Sequence, residues 1–200
     1  MIWLLVLAGY LAGSVQWGLV VVRLTSRIDL RTQGSGKTGM TNVLRTTGKL
    51  AAVAVLVGDA GKGLAVVAAA RVLTDDASVH AVTAAAAIAG HVWPVFARFR
   101  GGRGIATGLG TSLMLDPWTA LLGSAVFLPT VAVTRYMSVG SILSVVAAGA
   151  TFAVRAAVFD APLAYVWFAA GAGTLVIAMH RDNIRRLLTG TERKIGARVG

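Results

Sequence analysis

The chain has no cysteine, which excludes disulfides and thiolate metal sites and leaves its redox compartment unread. Charge is scarce as well: 14% of the 200 residues are charged, against about 25% in a soluble domain. Acids are the scarcer sign, eight against 19 Lys and Arg, and there are three histidines. The acids and histidines are scattered singly, so no metal and no cofactor are expected. No repeat of fixed period and no separate soluble region is visible, and residues 1–200 read as one integral-membrane domain. A nucleotide-binding P-loop is absent too. GSGKT at 34–38 resembles its tail, but G-x-x-x-x-G-K-[ST] needs a glycine where Arg31 stands. The preceding stretch RLTSRIDLRTQ also lacks the apolar alternation of the strand such a loop follows.

What the chain has in abundance is apolar sequence: 56% hydrophobic residues and a mean hydropathy of +0.74. It is gathered in long runs, the mark of an all-α polytopic membrane protein. Seven runs are read: 1–22, 50–73, 79–96, 105–115, 118–134, 141–159 and 162–179. The first lacks a basic n-region and a cleavage site, so it is expected to be a retained helix. The fourth, 105–115, spans only about 16 Å as a helix, half a bilayer. It is expected to be a half-helix shielded by protein or a re-entrant pair with the fifth run, which leaves five spans as an alternative to seven.

The net charge of +11 could suggest nucleic acid, but its distribution points to a bilayer. The segment 23–49, the loop 98–104, Arg135 and the tail 180–200 fall on one side of the alternating loops and hold 16 of the 19 Lys and Arg. Asp75, Asp76, Asp116 and Asp160 fall on the other. This bias puts the N-terminus outside and the C-terminus in the cytoplasm.

The glycine-rich basic loops all lie on that cytoplasmic side: GSGKTGMTNVLR at 34–45 and RFRGGRGIATG at 98–108. A glycine turn against a helix start exposes backbone N–H groups where the helix dipole favours an anion. Missing Cβ atoms admit a phosphate closely, and Arg100 and Arg103 add planar donors. A positive-inside loop with flexible turns is the plainer reading. Ser35, Thr41 and Asn42 supply polar groups in the first loop, with Ser35 or Thr41 also a candidate N-cap. Asp59 and Lys62 lie three apart near mid-membrane, where ionisable residues are functional candidates or form a self-satisfied pair. His91 and His180 are candidate acid–base groups, and Ser138 and Ser141 candidate ligands or N-caps.

Together these stretches resemble the bacterial acyl-phosphate:glycerol-3-phosphate acyltransferase family. GSGKTGMTNVLR (34–45) is similar to its GSGNxGATNxxR motif, and GHVWPVFARFRGGRGIAT (90–107) to GHxFPxFxxFKGGKGVAT. RYMSVGSI (135–142) and HRDNIRRLLTGTERKIG (180–196) are similar to its third region. Lys37, Met40 and the two arginines of the second motif depart from the pattern. The resemblance implies transfer of a fatty acyl group from acyl phosphate to the 1-hydroxyl of glycerol 3-phosphate in the bacterial inner membrane. Gly101, Gly102, Gly104 and Thr107 would then cradle the acyl phosphate. Arg45, Arg100 or Arg103, Ser138 or Ser141, His180 and Asn183 would hold glycerol 3-phosphate, and Ser35, Thr41 and Asn42 would shape the pocket. A transporter of phosphate or a small organic anion is the rival, with Asp59 and Lys62 on its path; it would want an inverted repeat, which the sequence lacks.

Overall fold

The computed structural model describes residues 2–26 and 28–196; Arg27 and Arg198, two of the basic residues counted above, lie outside them. Among the described residues there are ten α-helices and no strand. They are α1 (Ile2–Ser14), α2 (Trp17–Thr25), α3 (Met40–Thr46), α4 (Lys49–Leu73), α5 (Ala77–Val92), α6 (Ile105–Leu115), α7 (Pro117–Thr134), α8 (Met137–Val158), α9 (Leu163–Ala178) and α10 (Arg181–Leu188). Among the described residues each of the seven apolar runs contains a helix, but not all are long enough to cross a bilayer. Five spans are: Ile2–Thr25, Lys49–Leu73, Ala77–Ala97, Pro117–Thr134 and Met137–Val158. A sixth is reached if α9 and α10, bent by 55°, count as one.

The first span is not one helix, as the sequence suggested, but two. Gln16 adopts extended backbone between α1 and α2, and its amide donates to the carbonyl of His91 (3.3 Å) while its oxygen accepts from the hydroxyl of Thr38 (2.5 Å). A polar side chain committed to tertiary partners has drawn the backbone out of the helix. The local signals elsewhere are ordinary. Asp76 caps α5 through the amide of Ser78, and Asp116 caps α7 through that of Trp118, with Pro117 in the first turn.

In lipid there is little hydrophobic force between helices, so association rests on close packing and small residues. α4 and α6 meet at Gly110, where a Cβ would come 1.8 Å from the carbonyl oxygen of Ala60. This backbone-on-backbone approach holds the short α6 against the longest helix. α5 lies against α1 through Gly90, which packs on the Tyr10 backbone. Phe152 (α8) sits edge-on to Tyr165 and Phe168 (α9), both centroids 6.1 Å away. The outward side chains are apolar: Trp3, Leu50, Trp167 and Val133 are at least two-thirds exposed, as a lipid-facing surface requires.

The four basic segments meet at one end of the bundle. Arg45 donates to the carbonyl of Arg193 (3.1 Å), and Arg135 exchanges hydrogen bonds with the backbone of Ile195. Lys194 lies over the ring of Tyr136 (5.4 Å). At the other end Arg155 pairs with Asp116 (2.9 Å) and Arg71 donates to the Met114 carbonyl (2.6 Å). The two arginines outside the basic end are thus each matched to an acid or to the carbonyl end of α6.

Candidate active site

At the basic end three short segments surround one cavity of about 310 Å³. The first is the loop before α3. Gly34 holds φ +59°, and a Cβ there would lie 2.2 Å from Oδ1 of Asn42. That oxygen accepts from the Ser35 amide (3.0 Å), and Nδ2 of the same residue donates to the carbonyls of Gln33 and Lys37 (both 3.0 Å) and Leu30 (3.4 Å). Asn42 therefore spends its amide on the loop backbone. Gly39 is the N-cap of α3, so neither Ser35 nor Thr41 caps it.

The second segment is the loop before α6. Arg98 and Phe99 take positive φ (53° and 59°), turning the chain sharply back onto the end of α5. Gly102 donates to the carbonyl of His91 (3.2 Å). A Cβ on Gly101 would fall 2.0 Å from that carbonyl oxygen, and one on Gly102 would fall 2.1 Å from Nε2 of His91. The two glycines are thus demanded by contact with His91. Gly104 (φ +91°) is the N-cap of α6. Arg103 is half-buried, and its Nε has no hydrogen-bond partner among the described residues. Burial and then the charge of Arg186 hold its guanidinium below the ordinary range. Lys37 is shifted down by burial and then by Arg103. Cations depressed by burial and by each other leave an end that an anion would relieve.

The third segment is the tail after α9. His180 is buried; its Nδ1 donates to the Val176 carbonyl (2.8 Å), which leaves Nε2 as an acceptor. Burial pushes the ring down to about 4, the Val176 hydrogen bond working the other way. Glu192, also buried, accepts from Ser138 (2.9 Å), Asn183 (2.7 Å) and Arg186 (2.7 Å). Burial alone would raise its carboxyl, but these donors, Asn183 first, hold it below the ordinary value.

Of the residues singled out from sequence, Ser35, Thr41, Asn42, Asp59, His91, Arg103, Gly104, Ser141 and His180 line the common cavity. Arg45 is half-buried outside that lining, within electrostatic reach of Arg103 and bound to the tail backbone. Arg100 is exposed. Thr107 is wholly buried and lies against Gly63 of α4. Ser138 and Asn183 are engaged by Glu192, and the hydroxyl of Ser141 bonds back to the Met137 carbonyl (2.8 Å), so neither serine caps α8. Sequence reasoning passed over Glu192, although it is the one acid among the basic residues of 185–194. Lys37, a departure from the family pattern, lines the cavity as well. Sequence reasoning missed the cavity's long apolar arm between α6 and α9, walled by Leu109, Phe127, Val145, Phe152 and Phe168.

Helices alone among the described residues, five or six apolar spans and a cavity that joins a cation-rich end to an apolar arm define an integral membrane protein suited to an anionic amphiphile. The family model described as glycerol-3-phosphate acyltransferase matches residues 3–190. The glycerol-3-phosphate acyltransferase of Rubrobacter xylanophilus is 44% identical over 98% of this chain and 96% of its own. That of Myxococcus xanthus is 43% identical over 95% of this chain and 97% of its own. The crystal structure of PlsY, an integral membrane glycerol 3-phosphate acyltransferase, in its glycerol 3-phosphate form matches with a TM-score of 0.89 and 37% identity, covering 98% of this chain and 96% of that one. Its lysophosphatidic acid form matches at a TM-score of 0.87 and 36% identity, covering 98% and 95%. The chain belongs to the glycerol-3-phosphate acyltransferase family of PlsY.

Proposed function

We propose that the protein transfers a fatty acyl group from acyl phosphate to the 1-hydroxyl of glycerol 3-phosphate, releasing phosphate and leaving lysophosphatidic acid in the bilayer. The observation that carries this reading is the two-ended cavity: Lys37, Arg103 and His180 at one end, apolar walls of α6 to α9 along the rest. An acyl phosphate has that same division. The donor is a mixed anhydride and already activated, so positioning and fixed positive charge supply most of the acceleration.

Arg103 and the free N–H groups at the start of α6 hold the phosphate of the donor, with Ser35 and Lys37 facing it across the cavity. Arg45 binds the glycerol phosphate and Arg103 bridges it to the donor phosphate, while the unprotonated Nε2 of His180 accepts from a glycerol hydroxyl, leaving the proton of the attacking 1-hydroxyl to the phosphate. The hydroxyl oxygen bonds to the acyl carbon, the carbon–phosphate oxygen bond breaks, and the departing phosphate takes the proton. Thr41 and Ser141 line the space between. Asn42, Ser138 and Asn183 act through the shape they give the loops. The basic end faces the cytoplasm of a bacterial inner membrane, in keeping with the bias of Lys and Arg. An anion transporter is not favoured, because Asp59 and Lys62 pair with each other (2.8 Å) and bear no free charge along a path.

The test is phosphate release from palmitoyl phosphate by the detergent-purified protein, with and without glycerol 3-phosphate. Release that depends on glycerol 3-phosphate and yields lysophosphatidic acid is expected; equal release without it would refute the reading.

A further inference from the structure

Lys62, Asp59 and His91 form a buried charged cluster that the reaction above does not use. Asp59 and His91 are 1% and 2% exposed. Nζ of Lys62 lies 2.8 Å from Oδ1 of Asp59, 2.9 Å from Nδ1 of His91 and 2.5 Å from the carbonyl of Val15. That carbonyl is at the break between α1 and α2. Nδ1 of His91 also lies 3.5 Å from Oδ1 of Asp59; the ammonium only donates, which assigns Nδ1 as its acceptor and the ring proton to Nε2.

Three features argue that this is more than a self-satisfied pair. Charges at this depth are costly and seldom kept without use. The three side chains come from α4 and from the end of α5, so the cluster joins elements whose relative position shapes the cavity, and both Asp59 and His91 line that cavity. Finally, His91 is the surface on which the glycine loop rests: its carbonyl accepts from Gly102, and its Nε2 fills the space a Cβ of Gly102 would need. Its carbonyl also accepts from Gln16, whose oxygen binds Thr38 in the loop before α3. Both glycine loops are therefore anchored to one residue, and Lys62 holds that residue's ring.

We propose that Lys62 and Asp59 are positioning residues that fix the His91 ring, and through it the 98–104 loop that carries Arg103. This rests on the proposed function only for its kinetic readout. Lys62 is outside the cavity lining and acts by limiting where Arg103 can sit.

The absence of cysteine allows an experiment that needs no activity. A spin label on Phe99→Cys, at the exposed tip of the loop, reports loop mobility in the purified protein. An immobilised spectrum is expected, turning mobile in Asp59→Asn/Lys62→Met, which removes both charges together and leaves neither unpaired. His91→Asn, which keeps an acceptor for Lys62 but removes the ring, should do the same. In the unlabelled enzyme the charge-free pair should lower kcat by about tenfold or more, yet by less than about twofold where Arg103 is already alanine, because residues acting through one another are not additive. A loop spectrum unchanged in both variants overturns the proposal. So does an equal loss of kcat in the two backgrounds, or variants that no longer fold, either of which marks a purely structural cluster. Absence of turnover in the wild-type protein would refute the acyltransferase reading and leave the spectra to decide this one.

Discussion

Removing the Glu192 carboxylate should cost more than any other single truncation in the tail. Its Oε1 accepts from Ser138 and Asn183, which are 3% and 5% exposed, and its Oε2 from Arg186. A hydrogen bond to a charged group contributes about 1.5–3 kcal/mol, and neither Ser138 nor Asn183 can turn to water. The Arg186 side chain is 37% exposed and can, so its share is at most about 1 kcal/mol. Glu192→Ala is therefore expected to destabilise by about 3–6 kcal/mol through Ser138 and Asn183, with Arg186 adding at most about 1 kcal/mol. At about 2–4 °C per kcal/mol for a chain of this length, the unfolding midpoint in detergent should drop by about 10 °C. Glu192→Gln keeps volume and one acceptor and should lose about half as much. The sign with pH follows from the lowered carboxyl. Its stabilisation is present above the ordinary value of 4.5 and lost as pH falls below it through the folded-state value. The acid-side loss should therefore be smaller in the Gln variant. Midpoints for Ala within about 1 °C of wild type would refute the reasoning, since they would mean the carboxylate neutralises nothing that matters.

Arg103→Ala should lower kcat/KM by about 30- to 1000-fold, the range for a fixed cation at developing charge, and Arg103→Lys should retain most activity; Arg100→Ala, at an exposed residue, should stay within about threefold, and the opposite order of the two alanine variants would move the phosphate site. Asn42→Ala should lose about 2–3 kcal/mol from three good backbone hydrogen bonds, and Asn42→Asp should be worse than Ala because it turns a carboxylate towards three carbonyls; thermal midpoints decide the ranking. His180 is depressed from 6.5 to about 4, so the unfolded chain takes up a proton across that window while the folded one does not. Stability should fall as pH drops from about 6.5 towards 4, and His180→Gln should flatten that slope in thermal unfolding.

The solvent, the helical class and the gathering of basic loops at one end were legible in the sequence, because each follows from local composition: apolar runs long enough to span lipid, and Lys and Arg confined to alternate loops. The ends of α6, at Ile105 and Leu115, were readable from the glycine before it and the Asp-Pro turn after it. The break at Gln16 was not, since nothing near it forbids a helix. The backbone departs because His91 and Thr38, 75 and 22 residues away, claim its side chain. The same holds for the site. Glycines at 101 and 102 suggest an open anion nest from sequence, but the fold brings His91 up against them, and only that contact says what the missing Cβ atoms accommodate. Asn42 is a polar residue in a phosphate-like loop until its amide is seen closing that loop. Arg100 and Arg103 are equivalent as text; the turn at Arg98 and Phe99 buries one and leaves the other in water. Sequence periodicity and composition carry the terms that are local and additive. Which polar groups meet across the bundle depends on the packing of distant helices, and that is decided only when the chain has folded.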